Sequence, residues 1–381
     1  PVDISFNPAS FSDQLTQQSV AQSFQDSRGA LWLVTQEGLN RYTGHELENY
    51  RYSLTIPGSL ANDNVTRIAE DLEGNLWIST FGGGLIYYDS IKNSFEALYS
   101  DPNNRNSPYS NNIHTIYCDK DGVLWLGYSN GFSTFDPVKR IFRHYISGSD
   151  DIPYMGEIRD FTLTPDGAMW AATQTVGLLR IAPSDYDLSI YGHQKDDPSS
   201  IVSNSLYRIM TDKHGNIWIA SNDSGVSYYN PKENVSVNFS HSESDTNTLS
   251  SNQTFDIFED KDGKIWVATY EGLNLHLPET NSFHRYTQQN TNLPADQILS
   301  VYQSYEGKYW IGTIAGLATG MKTEFQKFDS DASNLSSNSV NAFGETEDGS
   351  FWVGTDDGLN RLRPGATEFE WINDYTDPAI S

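Results

Sequence analysis

Short apolar segments alternate with polar turns along the whole chain, in a pattern typical of β-strands. In the stretch 64–99, an apolar segment that begins at Val65 ends at the turn 71–74, where aspartate and glycine favour a tight reversal. The run 76–80 that follows is apolar at successive positions, which suits a strand covered on both faces. Two more short segments complete the stretch, so it is predicted to hold four strands.

A tryptophan marks the second predicted strand of each such stretch, and the stretch occurs eight times. Successive tryptophans are 42 to 48 residues apart, and a glycine stands three residues before each of them. Four short strands at that period are typical of a propeller blade, and no window shows a sustained helical period. The tryptophans are Trp32, Trp77, Trp125, Trp170, Trp218, Trp266, Trp310 and Trp352.

The sequence therefore predicts an all-β fold, a β-propeller of four-stranded antiparallel blades with eight repeats. Eight blades in a single domain over residues 1–381 are favoured. The segment 2–6 resembles the fourth strand of a blade, and it could close the ring against the last blade. The repeated tryptophans are expected in the core, because a side chain that recurs between apolar neighbours in every unit is far more often structural than ligand-binding.

The charge balance narrows the classes of function. The 381 residues carry a formal net charge of −26, which argues against nucleic acid and anionic membranes as partners. Most of this charge is expected to favour solubility, and a cationic ligand or metal is the sharper alternative. Cys118 is the one cysteine, so no disulfide framework is expected. The aspartate-rich turns 119–122 and 260–263 lack the further ligands of a calcium loop, and neither a metal nor another cofactor is predicted.

Several stretches carry a family resemblance. Residues 71–80 read Asp-Leu-Glu-Gly-Asn-Leu-Trp-Ile-Ser-Thr, and residues 260–269 read Asp-Lys-Asp-Gly-Lys-Ile-Trp-Val-Ala-Thr. Both resemble the two-component regulator propeller repeat, and so do the linkers 59–65 and 334–340. Three units depart from the pattern at the turn aspartate, but acids two residues later are expected to preserve the turn. The replacing residues are Thr164, Ser304 and Thr346.

The resemblance implies a function and a location. Members of this family are extracytoplasmic sensor regions of membrane histidine kinases, hybrid regulators and diguanylate cyclases, and their known ligands are often oligosaccharides. This implies a non-catalytic periplasmic sensor, anchored in the full-length protein through a C-terminal segment absent from this chain, with a homodimer as an option. The family also builds seven-bladed rings in tandem. The alternative division is therefore a seven-bladed propeller over 1–329 and the first blade of a second propeller over 330–381.

Candidate binding residues follow from where the repeats vary. The turns that begin with aspartate are uniform and resemble scaffold, whereas the opposite face varies. In each first strand, the two positions after the apolar start are expected near the mouth of the central channel. Their mixture of side chains suits a small, polar, ring-shaped ligand such as a carbohydrate. The candidates are Arg67, His114, Arg159, Asp160, Tyr207, Arg208, Phe255 and Asp256, with Phe81 and Tyr270 added from the turns on the same face.

Three alternatives stay open. Arg159 with Asp160 and Arg208 with Asp256 could pair with one another and simply line a wet channel. The variable face could dock a protein partner, which a broad exposed apolar patch would favour. The domain could instead be a glycan-cleaving or lyase-type propeller enzyme, which two carboxylates about 5–10 Å apart in one pocket would favour.

Overall fold

The fold is all-β. The computed structural model describes residues 4–148, 152–183, 186–322, 330, 333–346, 348–364, 366 and 368–372. Within these residues, the strands form eight four-stranded antiparallel sheets, and the one helical segment is a short 3-10 turn at Ser12–Gln14. No helix in the described ranges is long and apolar enough to cross a bilayer. The predicted all-β fold, the four-stranded blades and the eight repeats are confirmed.

The chain divides into two compact units, residues 1–322 and 323–381. The first unit contains seven of the eight sheets that the structure describes. Its strands are β1 (Ile4–Pro8), β2 (Val20–Gln25), β3 (Leu31–Thr35), β4 (Gly38–Tyr42), β5 (Leu47–Tyr50), β6 (Val65–Glu70), β7 (Leu76–Thr80), β8 (Leu85–Asp89), β9 (Ser94–Leu98), β10 (Thr115–Cys118), β11 (Leu124–Tyr128), β12 (Gly131–Asp136), β13 (Ile141–Ile146), β14 (Ile158–Leu163), β15 (Met169–Thr173), β16 (Leu178–Ile181), β17 (Leu188–Tyr191), β18 (Leu206–Thr211), β19 (Ile217–Ser221), β20 (Val226–Asn230), β21 (Val235–Phe239), β22 (Thr254–Glu259), β23 (Ile265–Thr269), β24 (Gly272–Leu277), β25 (Ser282–Tyr286), β26 (Ile298–Gln303), β27 (Tyr309–Thr313) and β28 (Gly316–Lys322).

The seven sheets of the first unit form a closed ring of blades. Blades 1 to 6 each take four consecutive strands: β2–β5, β6–β9, β10–β13, β14–β17, β18–β21 and β22–β25. Blade 7 combines β26, β27 and β28 with β1. The first strand of each blade contacts the first strand of the next, and β26 contacts β2. These inner strands therefore surround a central channel, which places their side chains where a ligand could enter.

Strand β1 closes the ring as the outermost strand of blade 7, where it runs antiparallel to β28. Phe6 of this strand is buried, and its ring makes edge contacts with Trp266 and Tyr286. The Phe6 ring occupies space that a Cβ atom on Gly320 would enter. The segment that was expected to close the ring against the last repeat thus closes it against the seventh, because Gly320 leaves room for the aromatic ring there.

In the first unit the tryptophan of each blade lies in the core, as predicted, whereas Trp352 of the eighth sheet is only partly buried. The seven indoles of the first unit are between 0 and 6% exposed. In four blades, the indole Nε1–H donates to the aspartate that begins the turn, at 2.8–2.9 Å, and Trp170 donates to the Thr164 hydroxyl at 3.0 Å. Trp218 and Trp310 have no such partner among the described residues. The turn aspartate thus forms the turn and also accepts a hydrogen bond from the core.

The second unit contains the eighth sheet. Leu335, Val353 and Phe369 form its small buried cluster. Its first strand is exposed along its whole length, and Phe343 is 77% exposed. The matching residues of the first unit, such as Phe161, are buried because a neighbouring blade covers them. The strands of this sheet are β29 (Val340–Glu345), β30 (Phe351–Thr355), β31 (Gly358–Leu362) and β32 (Glu370–Ile372).

Candidate functional site

A β-bulge near the start of the first strand of a blade determines which side chains line the mouth of the channel. In six of the seven blades, the pairing with the second strand shifts by one residue there, as between Ile158 and Asp160. The extra residue is left out of the ladder, which re-aims its side chain. In blade 3, His114 takes this place, and its main-chain N–H bonds to Gly127. The seven residues at this position all line one cavity: Ala21, Thr66, His114, Arg159, Tyr207, Phe255 and Leu299.

This mouth cavity has a volume of about 740 Å³, within the usual range for small-molecule sites. Asp160 and Asp256 do not line it, since both line a second cavity of the channel. Tyr270 is 47% exposed in the turn after β23 and does not line the cavity either. The remaining candidates do: Arg67, Phe81, His114, Arg159, Tyr207, Arg208 and Phe255.

Four charged side chains form a waist across the channel: Arg67, Asp160, Arg208 and Asp256. Each occupies the strand position that follows the bulge. Arg67 and Arg208 line both the mouth cavity and a lower cavity of about 500 Å³, whereas the two aspartates line the lower cavity alone. The waist therefore separates two chambers of the channel, and of its four residues only the two arginines line both chambers.

Arg208 binds both aspartates of the waist. Its Nε lies 3.1 Å from Asp256 Oδ1, and its Nη1 lies 3.8 Å from Asp160 Oδ2. Each carboxylate also accepts a main-chain N–H from the next blade, at 3.2 Å from Ile209 to Asp160 and at 3.0 Å from Val301 to Asp256. The pair of Arg208 with Asp256 was among the sequence-based alternatives, and it is present. The aspartates thus join neighbouring blades as well as holding the arginine.

Burial raises the pKa of Asp160 and of Asp256 to about 6, although the Arg67 guanidinium acts in the opposite direction on both. The charge of Asp256 further raises the pKa of Asp160. A buried carboxylate is costly without hydrogen-bond donors, and here main-chain amides and arginines supply them. The waist therefore takes up protons as the pH falls towards 6.

Glu157 organises another part of the mouth cavity. Its Oε1 atom lies 2.8 Å from Arg159 Nε and 3.0 Å from His114 Nδ1. Arg159 also donates from Nη2 to Gln174 Oε1 at 2.9 Å, and His114 Nε2 lies 3.0 Å from Ser129 Oγ. Burial lowers the pKa of His114, and the nearby carboxylate only partly offsets it. Arg159 thus pairs with Glu157, and the sequence-based pairing with Asp160 was wrong because the bulge turns Arg159 towards the mouth.

Sequence reasoning missed two sets of mouth residues. One set stands directly before the apolar start of the first strand, and the other stands four positions after the tryptophan. Both registers could have been found by counting from the tryptophan, but the selected candidates include only Phe81 and Tyr270, both from the second set. The missed residues that line the cavity are Ser19, Asn64, Glu157 and Gln297 from the first set, and Gln36 and Ile314 from the second.

Aromatic side chains line the mouth at two places on the ring. Phe81 and His114, in blades 2 and 3, make an edge contact with ring centres 5.4 Å apart. Tyr207 and Phe255, in blades 5 and 6, make another at 5.8 Å. Phe81 is 43% exposed, so its ring is open to solvent. The mouth therefore combines aromatic rings with arginine and amide side chains.

Comparison with known proteins identifies four matching repeat segments and a shared fold. The model of the two component regulator propeller matches residues 59–82, 110–130, 248–271 and 334–357. No curated protein matches the chain. The extracellular domain of a hybrid two-component system from B. thetaiotaomicron is 24% identical, with a TM-score of 0.72, over 98% of this chain and 49% of that one.

Two other solved structures share the fold at lower identity. PorZ, a surface component of the type-IX secretion system of Porphyromonas gingivalis, is 16% identical with a TM-score of 0.64, over 96% of this chain and 60% of that one. Streptogramin B lyase is 12% identical with a TM-score of 0.62, over 83% of this chain and 97% of that one. At these identities the likenesses show the fold alone. This chain spans about half the length of the two-component structure it matches.

Proposed function

We propose that the chain, four segments of which match the model of the two component regulator propeller, is a non-catalytic sensor domain of a membrane-bound signalling protein. The proposed location is extracytoplasmic, and the proposed ligand is a small carbohydrate bound in the mouth cavity. In this proposal, the membrane anchor and the output domain lie outside residues 1–381. We also propose that residues 323–381 begin a second ring, because the first strand of their sheet exposes apolar residues that are covered in the other blades.

The side chains of the mouth cavity are the observation that carries this proposal. Phe81 and Tyr207 provide aromatic faces, and Arg159 and Gln297 provide hydrogen-bonding groups. A sugar ring has apolar faces and a polar edge, so it matches such a mixture. The bulge positions supply these groups from rigid inner strands, which suits recognition with little rearrangement.

The carboxylates near the mouth support binding over catalysis. Glu157 is held by His114 and Arg159, and the waist aspartates are held by Arg208 and main-chain amides. A glycosidase needs one carboxyl group that can transfer a proton to the leaving group and a second that attacks or activates water. Groups already engaged in ion pairs are better suited to hold neighbouring side chains in place.

The test is calorimetric titration of the protein with a panel of neutral di- and trisaccharides. Tyr207→Ala and Phe81→Ala should each weaken the binding of the best saccharide about tenfold, because each removes an aromatic face. Tyr270→Ala is the matched control, since Tyr270 is an exposed aromatic residue of the same repeat position as Phe81 but does not line the cavity. Chromatography of the saccharide after long incubation checks for cleavage.

Two results would contradict the proposed site. One is a saccharide that binds the Tyr207→Ala and Phe81→Ala variants as tightly as the wild type. The other is cleavage of the saccharide by the wild-type protein, which would instead support the enzymatic alternative.

A further inference from the structure

The charges of the mouth and waist leave one arginine without a partner. Arg159 is paired with Glu157, and Arg208 is paired with the waist aspartates. The guanidinium of Arg67 makes no ion pair or hydrogen bond with the residues that the structure describes, yet it is half-buried and lines both chambers. A half-buried guanidinium has five N–H donors and retains its charge at any physiological pH, so it favours an anionic partner.

The neighbours of Arg67 do not offer an internal partner. Gln22, at the same level in blade 1, uses both ends of its amide on the main chain of Ile68. The Thr66 hydroxyl is hydrogen-bonded to the Ile113 carbonyl and to the Ser79 hydroxyl. Asp160 and Asp256 interact with Arg67 electrostatically, but neither forms an ion pair or a hydrogen bond with it among the described residues. Arg67 is therefore the free cation of the channel in the described part of the chain.

From this charge arrangement we infer that the ligand of the mouth cavity is an acidic sugar, whose carboxylate binds Arg67. The inference rests on the proposed function and makes its ligand class specific. A carboxylate is planar and matches the fork of a guanidinium with two parallel hydrogen bonds. The apolar faces of the sugar ring would contact Phe81 or Tyr207, which line the same cavity.

The waist adds a dependence on pH. The charged groups that line the same two cavities as Arg67 are Arg208, Asp160 and Asp256 in the waist, Glu70 in the lower chamber, and the cluster of Glu157, Arg159 and His114 in the mouth. A ligand carboxylate near the waist repels the aspartates and favours their protonated forms. Binding of the acidic sugar is thus accompanied by proton uptake, and its affinity rises as the pH falls from about 8 to about 6.

The test compares an acidic and a neutral sugar of the same size, digalacturonate and galactobiose, by calorimetric titration at pH 6 and pH 8. The wild-type protein should bind digalacturonate at least tenfold more tightly, with a larger difference at pH 6. Arg67→Gln should remove this preference, because it should weaken the binding of digalacturonate at least tenfold more than that of galactobiose. Arg67→Lys, which keeps the charge but loses the fork, should keep part of it. Arg159→Gln is the matched control, because that arginine is already paired, and it should retain the preference.

The outcomes separate this inference from the proposed function. Equal or tighter binding of galactobiose by the wild type would overturn the acidic ligand and leave the carbohydrate sensor standing. A preference for digalacturonate that survives in Arg67→Gln would also overturn the inference, since another cation would then hold the carboxylate. Binding of neither sugar, nor of any saccharide in the panel, would overturn both. Circular dichroism and melting of each variant establish that it is folded before titration.

Discussion

Trp32 and Trp218 provide a matched test of the hydrogen bond between core indole and turn aspartate. Both rings are buried. Trp32 Nε1 donates to Asp26 Oδ2 at 2.8 Å, whereas Trp218 Nε1 has no partner among the described residues. Replacement of either tryptophan by phenylalanine removes the N–H and a similar part of the ring. The difference between Trp32→Phe and Trp218→Phe in free energy of unfolding therefore measures the hydrogen bond.

The magnitude follows from the burial and the partners of the two rings. The smaller ring costs about 1–2 kcal/mol at either position, at the lower end of large-to-small core substitutions. At Trp32, the change also leaves Asp26 Oδ2 without a donor, and Asp26 is 4% exposed. Hydrogen bonds to charged groups contribute about 1.5–3 kcal/mol, so Trp32→Phe should be more destabilising than Trp218→Phe by roughly that amount.

The assay is urea denaturation followed by near-ultraviolet and far-ultraviolet circular dichroism, on the wild type and both variants. Coincident transitions of the two signals are required before free energies are compared. Combining Trp32→Phe with Asp26→Asn gives a double-mutant cycle, in which the two changes should be strongly non-additive. Equal destabilisation by Trp32→Phe and Trp218→Phe, or simple additivity in the cycle, would refute the role assigned to the aspartate.

Three further predictions concern the waist and the closure of the ring. Folding raises the pKa of Asp256 to about 6 from an unfolded value of about 4. The stability that protonation of Asp256 contributes is therefore fully present below about pH 4 and is lost as the pH rises through about 6. Asp256→Asn should reduce the pH dependence of the melting temperature between about pH 4 and 7. Arg208→Met should destabilise the fold by about 3–5 kcal/mol in urea denaturation, since it leaves two buried carboxylates without their nearest cation, and an unchanged midpoint would contradict this. A chain of residues 1–322 should melt cooperatively, whereas removal of residues 1–8 from it should lower the melting temperature strongly, because β1 completes blade 7; equal melting of the two would contradict closure by β1.

The repeat pattern could be recognised in the sequence because every blade packs against its neighbours in the same way. An indole between apolar neighbours and a glycine turn recur in every unit, and a small residue follows two positions after the indole in every unit except the first, which has Val34. The spacing of Trp32, Trp77 and the other tryptophans therefore predicted the blades and their core. The turn aspartate also accepts a hydrogen bond from the indole, and the sequence could not reveal this. An aspartate at that position is expected for the turn alone, so its presence does not indicate a second role.

The candidate site was located more coarsely. Counting from the tryptophan placed Arg67, His114 and Tyr207 at the channel mouth, because the strand period fixes which segment lies innermost. The same counting could not distinguish Arg159 from Asp160. A β-bulge turns their side chains towards different chambers. It also missed Glu157, whose importance comes from its contacts with His114 and Arg159 and not from any repeated pattern.

The sequence by itself determined the blade, its core and the segment of each unit that lies innermost, because these depend on local periodicity and are repeated along the chain. Only the tertiary structure decided which sheets form the ring, which strand closes it and which charges meet at the waist. Phe6 and Gly320 are more than three hundred residues apart, and Arg208 meets Asp160 and Asp256 from two neighbouring blades. Such pairings are settled by shape and charge across the closed ring, where the identity of one residue gives no information about its distant partner.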